Sequence, residues 1–315
     1  MVALHIRMFG ETRVIDGDRI VGPRDFGGVK PRQVLEVLAL HAGHPVTKET
    51  LIDSLWGERA PGSSTATLEA YVSVLRRRIE PNVRPCASLV HTTNGGYLLD
   101  PCEVRIDLHE FHQLLARPTQ DVTAPPAERL ATALALAEDD LLESEPYAPW
   151  AVQARELVHS SIVTACEVSS VHAMAIGEWS EAIALARRAL TLDPLAETCG
   201  RSLVEALWRD GRRAEALRAY EALRRALADE LGTDPDASTQ ALHLSVLRSA
   251  CMEEEPRATS GDPEVSNAQD APIADEVLLE RLVGDVVRTV GGLRSSRQIF
   301  IDSLMTRIAA ELVAS

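Results

Sequence analysis

Apolar and polar positions alternate over Leu4, Ile6 and Met8, and the alternation resumes from Thr12 to Ile15 and from Arg19 to Val21, on either side of Asp16-Gly17-Asp18. A period of two interrupted by turn residues predicts short strands over 3–8, 12–15 and 19–21 in a small antiparallel sheet. The period then lengthens. Val34, Leu35 and Leu38 lie on one helical face that opens at Lys30-Pro31, where a proline suits the first helical position, and closes near Gly43. Thr47 can cap a second, short helix carrying Leu51, Ile52, Leu55 and Trp56, stopped by Gly57. A third helix begins at Ser63 or Ser64 and sets Leu68, Val72, Leu75 and Ile79 in one stripe, leaving its other faces polar. After Pro81 and Pro85, the runs Leu89–Thr93 and Tyr97–Leu99 flank Asn94-Gly95-Gly96, which predicts a hairpin directly behind the third helix. Three helices followed by a hairpin describe a winged helix.

From Val104 the alternation gives way to helical spacing, with Asp107, Phe111, Leu114 and Leu115 opening a helix. Two later segments repeat with a period of about 34 residues: Gly177-Glu178-Trp179 leads to Ala182, and Gly211-Arg212-Arg213 leads to Ala216. That period belongs to tetratricopeptide repeats. The small residues at 182 and 216 let paired helices approach, Trp179 and Tyr220 fill gaps, and Asp193-Pro194 ends the first unit. The fold class expected is an α+β winged helix-turn-helix followed by an all-α tetratricopeptide-like repeat domain. Residues 253–275 are rich in Glu, Pro, Ser and Asp with few large apolar residues, the composition of a disordered linker. Two amphipathic stretches beyond it, parted by Gly291-Gly292, predict a helical tail over 276–315.

Charge changes the picture only when it is divided. The 315 residues carry a net −15, yet residues 1–100 hold 12 Lys and Arg against 11 Asp and Glu, and the excess acid falls after them, with 20 against 36. Arg76, Arg77 and Arg78 are consecutive near the end of the third helix, and a local cluster of this kind can neutralise phosphates in a nearly neutral domain. The N-terminus starts directly into a strand pattern, without a basic region and apolar run, so a cytoplasmic protein is expected. The five cysteines are scattered and predict reduced, mostly buried thiols. No phosphate loop, nucleophile elbow or HExxH run is present, and His109 and His112 lack a third ligand at metal spacing. No enzyme activity, cofactor or metal is expected.

The run KPRQVLEVLALHAGHPVTKETLIDSLWG, then ATLEAYVSVLRRRI, then TNGGYLL, resembles the OmpR-type winged helix of the AfsR/SARP regulators, and the likeness extends to about residue 250. The resemblance implies a DNA-binding domain over 1–103 and a bacterial transcriptional activator domain over 104–252. It also implies a recognition helix from Ser64 to Ile79 in the major groove, with the hairpin around Asn94, Gly95 and Tyr97 against the minor groove or backbone. Chemistry then divides the candidates. Thr65, Arg76, Arg77 and Thr93 are assigned to phosphates, Thr67, Tyr71 and Val74 to base edges, and Ser73 joins the DNA-facing set. Several OmpR-type relatives carry arginine where Val74 stands; valine can touch only a thymine methyl, which makes pairing of two subunits more necessary. The partners implied are double-stranded promoter DNA, RNA polymerase holoenzyme and a second copy of the chain on direct repeats, in the control of antibiotic biosynthesis genes. The competing reading is a tetratricopeptide adaptor with weak or no DNA binding.

Overall fold

The computed structural model describes residues 4–81, 83, 88–116 and 126–253. The linker and tail expected from residue 254 onward lie outside the described residues. Those described fall into two compact units, one comprising residues up to 114 together with 132–158, the other residues 115–131 and those from 159 onward.

In the first unit, β1 (Leu4–Arg7), β2 (Arg13–Asp16) and β3 (Arg19–Val21) form the expected antiparallel meander. Helix α1 spans Val29–Leu40, beginning two residues before Pro31, which sits in the first turn where its missing N–H still leaves no helical bond unmade. The chain then makes β4 (Val46–Thr47), α2 (Lys48–Trp56), a single 3₁₀ turn (Gly57–Arg59) and α3 (Ser64–Ile79), followed by the hairpin β5 (Val90–Thr93) and β6 (Gly96–Leu99). Thr47 caps α2 as predicted, its hydroxyl accepting from the Thr50 N–H at 3.1 Å. Ser63 precedes α3, but its side chain makes no cap bond; its carbonyl instead receives the Thr67 N–H and hydroxyl, both at 3.0 Å.

Helical structure does not begin at Val104. Residues Val104–Ile106 form β7, which pairs in parallel with β1 and completes a four-stranded sheet of order β3-β2-β1-β7. The helix α4 (Asp107–Ala116) starts one residue later. Three residues are too few for a period to show, and the pairing partner lies at the other end of the domain. Asp107 fastens this closure: its buried carboxylate accepts the backbone N–H groups of Met8, at 2.8 Å, and of Phe9, at 3.1 Å. Burial outweighs these bonds and raises its pKa to about 6.

Residues 132–158 pack with the same unit. Leu142 N–H donates to the Met8 carbonyl at 2.9 Å and Gly10 N–H to that of Asp140 at 2.8 Å. A buried polar cluster adds to this: Arg32 on α1 pairs with Glu145 at 2.5 Å and with Glu36 at 3.2 Å, Gln33 donates to Glu145 at 2.8 Å, and the Thr12 hydroxyl donates to Glu36 at 2.6 Å. Glu36 is fully buried and shares its one guanidinium with Glu145, so desolvation prevails over both Arg32 and Thr12 and lifts its pKa to about 7.

The second unit holds the repeats. Helices α5 (Pro126–Leu136) and α6 (Pro149–Ala175) each run from one unit into the other, and α7 (Trp179–Leu192), α8 (Glu197–Arg209), α9 (Arg213–Leu231) and α10 (Ala237–Glu253) follow within the second. Gly177 and Gly211, one period apart, both take positive φ (80° and 76°) in the turns that reverse the chain, which explains why glycine recurs there. Ala182 and Ala216 are fully buried in one core with Leu203, Leu207 and Tyr220. Tyr220 stacks on His243 at 3.8 Å, while Trp179 is only half-buried. Of the cysteines, Cys166 and Cys199 are buried and Cys102 is exposed. No helix among the described residues is long and apolar enough to cross a membrane.

Candidate DNA-binding surface

The stripe Leu68, Val72, Leu75 and Ile79 is buried to 1% exposure or less, and at about 1.5–3 kcal/mol per side chain it fixes which way α3 turns. The C-terminal end of the helix is then tied twice. Arg19 on β3 donates to the carbonyls of Arg78 and, at 3.0 Å, Ile79, so a cation meets the negative end of the helix dipole. Glu80 accepts the Ser88 hydroxyl at 2.6 Å and the Leu89 N–H at 3.0 Å, joining the end of α3 to the start of the hairpin.

With the stripe inward, the outward ridge is Thr65, Glu69, Ser73 and Arg77, spaced by four residues and all exposed. Ala66 and Ala70 lie beside it, also exposed, and leave the ridge unobstructed. The exposed residues Thr65, Ser73 and Arg77 of this ridge were expected to face DNA. Glu69 was not, because a search for cations and hydroxyls passes over a carboxylate.

Three other candidates occupy the flanks and support the fold. Val74 packs against Gly27: a Cβ on that glycine, whose φ is +86°, would stand 2.5 Å from Val74 Cγ1. Tyr71 is half-buried and stacks on Trp56 of α2, ring centroids 6.0 Å apart. Thr67 is half-buried with its hydroxyl bonded to the Ser63 carbonyl. Arg76 turns to the opposite flank. Its guanidinium donates twice to the Val90 carbonyl, at 3.0 and 2.5 Å, and to the Thr92 hydroxyl at 2.9 Å, with its carbon 5.9 Å from the centre of the Tyr97 ring. Arg76, assigned from sequence to a phosphate, is thus the brace between α3 and the hairpin.

The hairpin has the register Thr93↔Gly96, leaving Asn94 and Gly95 as a two-residue exposed tip. Gly95 takes φ +92°, the left-handed conformation the turn needs. Gly96 serves a different end: β6 also pairs with β4, and a Cβ on Gly96 would lie 2.0 Å from the Val46 carbonyl oxygen. Thr93 is half-buried beside the tip. Lys48, the first residue of α2, bonds Gly95 through its N–H at 2.9 Å and Glu69 through its ammonium at 2.6 Å, and that carboxylate raises its pKa. Tip, α2 and α3 are therefore joined around one lysine. His91 and Glu103 pair at 3.0 Å at the other end of the hairpin.

The profile of the family described as "Transcriptional regulatory protein, C terminal" matches residues 28–99, and that of the "Bacterial transcriptional activator domain" matches residues 106–247. The regulatory protein DnrI of Streptomyces peucetius is 31% identical over 266 residues, 78% of this chain and 92% of that one. The chain belongs to the AfsR/SARP family of transcriptional activators. Within the family it is also 31% identical over 252 residues to the regulatory protein AfsR of Streptomyces coelicolor, spanning 78% of itself but 24% of that longer protein. A solved structure of Mycobacterium tuberculosis EmbR, in complex with a low-affinity phosphopeptide, is similar with a TM-score of 0.65 over 92% of this chain and 71% of that chain. At 24% identity this likeness speaks for the fold. The SARP assignment agrees with the order of elements found here: small sheet, winged helix, then helical repeats.

Proposed function

We propose that this SARP-family protein binds two neighbouring direct-repeat half-sites as a dimer upstream of a promoter, recruits RNA polymerase through its acidic helical part, and controls genes of secondary metabolism. The observation that carries the reading is the ridge Thr65, Ser73 and Arg77, exposed on a helix braced through its last turns, beside a hairpin tip held to the same frame. A helix so held enters a major groove without ordering cost. Arg77, whose Nε makes only a long 3.4 Å bond to the Ser73 carbonyl, is free to reach a phosphate, and Thr65 and Thr93 supply hydroxyls for the same purpose. Asn94 and Gly95 at the tip lie against the backbone or minor groove. Geometry asks that the half-sites fall about one helical turn, roughly 34–36 Å, apart on one face of the duplex.

The acid that follows the winged helix, a net −16 over residues 101–315, keeps that part of the molecule off the duplex and available to protein partners. An adaptor that has lost DNA binding is the rival reading. Fluorescence anisotropy of the full chain against its own promoter region, at two salt concentrations, separates them. The proposal expects binding that weakens steeply with salt and a shallower dependence for Arg77→Ala. A flat salt response, or affinity no greater than for unrelated DNA, points to the adaptor.

A further inference from the structure

We infer that Glu69 is a base-reading residue that accepts a hydrogen bond from a cytosine amino group in the major groove, with Lys48 as its escort. The inference rests on the DNA-binding role proposed above and names one of its specificity determinants. Glu69 stands in the middle of the exposed ridge, its side chain half exposed, flanked by alanines that cannot hold the duplex away. A carboxylate is the wrong sign for a phosphate, so on a face pressed to a polyanion it must either repel the backbone or find a donor on the groove floor. The floor has two amino donors. Adenine presents its amino group beside the N7 acceptor, which a carboxylate faces unfavourably, whereas cytosine presents its amino group alone. The chemistry therefore selects cytosine.

Lys48 makes this tolerable. Its ammonium lies 2.6 Å from Glu69 Oε1, so the carboxylate travels to the duplex already neutralised. Lys48 also opens α2, and its N–H holds the hairpin tip, so the lysine sits where helix, tip and backbone converge. On contact the ammonium can pass to the nearest phosphate as Glu69 takes the base. Arg77 is two ridge positions further along. At about 1.5 Å rise per residue it is roughly 12 Å away, a distance of three to four base pairs, so the two residues address separate positions.

The test is selection of binding sites from randomised duplexes by the full-length wild type, Glu69→Gln and Glu69→Ala, with thermal melts to show that the surface changes leave the fold intact. Glutamine offers a donor and an acceptor together and pairs with adenine. The wild type is expected to demand cytosine at one position of each half-site. Glu69→Gln should move that position toward adenine, by at least about fivefold in relative affinity, and Glu69→Ala should lose preference there without gaining another, while the remaining positions are unchanged. Wild-type selectivity retained by both variants, with affinity equal or raised throughout, would overturn the role of Glu69 and leave DNA reading intact. A wild type that selects no sequence at all would overturn both.

Discussion

Val74 rests on Gly27, so closely that the glycine has no room for a side chain: an added Cβ would come within 2.5 Å of Val74 Cγ1. Gly27 also holds φ at +86°, a region that costs an L-residue about 1–2 kcal/mol. The variant Gly27→Ala should therefore lose stability by about 2–4 kcal/mol, strain and clash together, and DNA affinity with it. Adding Val74→Ala removes the clash but not the strain, so the double variant should recover part of the loss. A denaturation-based double-mutant cycle checks this, and simple additivity would show that the two positions are independent.

Arg76 is bonded to the hairpin while its neighbour Arg77 is exposed, and substitution should separate the two. Arg77→Ala leaves the fold unchanged and lowers the slope of log affinity against log salt by about one, the signature of a lost phosphate contact. Arg76→Ala leaves the Val90 carbonyl without its guanidinium and unfastens the hairpin, so its melting temperature should fall, by an amount corresponding to about 1–3 kcal/mol. Melting curves and salt titrations of both variants decide the matter; an unchanged melting temperature for Arg76→Ala would return it to the phosphate-contacting set.

Gly96→Ala should be as damaging as Gly95→Ala, for a separate reason. At Gly95 the cost is the left-handed backbone, whereas at Gly96 the new methyl would meet the Val46 carbonyl oxygen and part β6 from β4. Hydrogen exchange distinguishes them. Gly96→Ala should expose the Tyr97 and Val46 amides, and Gly95→Ala should loosen the tip while leaving the β4–β6 pairing protected.

Stability should fall as pH rises from about 4.5 to 7. Glu36 has an ordinary carboxylate pKa of 4.5 when unfolded and about 7 when buried, so in that window the folded protein binds more protons than the unfolded chain. By linkage the folded state then loses ground with each increment of pH, on the order of 3 kcal/mol across the window, and the dependence levels off above it. Asp107, raised from 3.8 to about 6, adds a slope of the same sign. Thermal melts of wild type and Glu36→Gln between pH 4.5 and 7.5 should show a shallower decline in the variant. Identical declines would mean that Glu36 stays ionised throughout.

The helices of the reading head were legible because each buries a stripe whose spacing is local, and the turns because Gly95, Gly177 and Gly211 hold backbone conformations that glycine favours. What escaped was long-range. Nothing near Val104 says that it will lie beside Leu4, and the two residues of β4 are too short for any period to show. The exposed side of α3 is legible as the side opposite the stripe, but its edges are not. Whether Tyr71, Val74 and Arg76 face outward depends on Trp56, Gly27 and Val90, contributed from elsewhere in the chain. Ser63 shows the same limit at short range, being a competent cap whose hydroxyl makes no cap bond.

The parallel pairing of β1 with β7 has an architectural outcome. Helices and hairpin alike are an excursion that departs from one strand and returns to its neighbour, so the two strands act as a clasp. Cutting the chain at residue 103, the domain boundary expected from sequence, would discard the half of the clasp that Asp107 locks and leave that edge of β1 unpaired. A fragment carried on to Val158 keeps it shut. Recombination that trades one DNA specificity for another would meet the same constraint: the excursion is exchangeable, and the seam behind it is not.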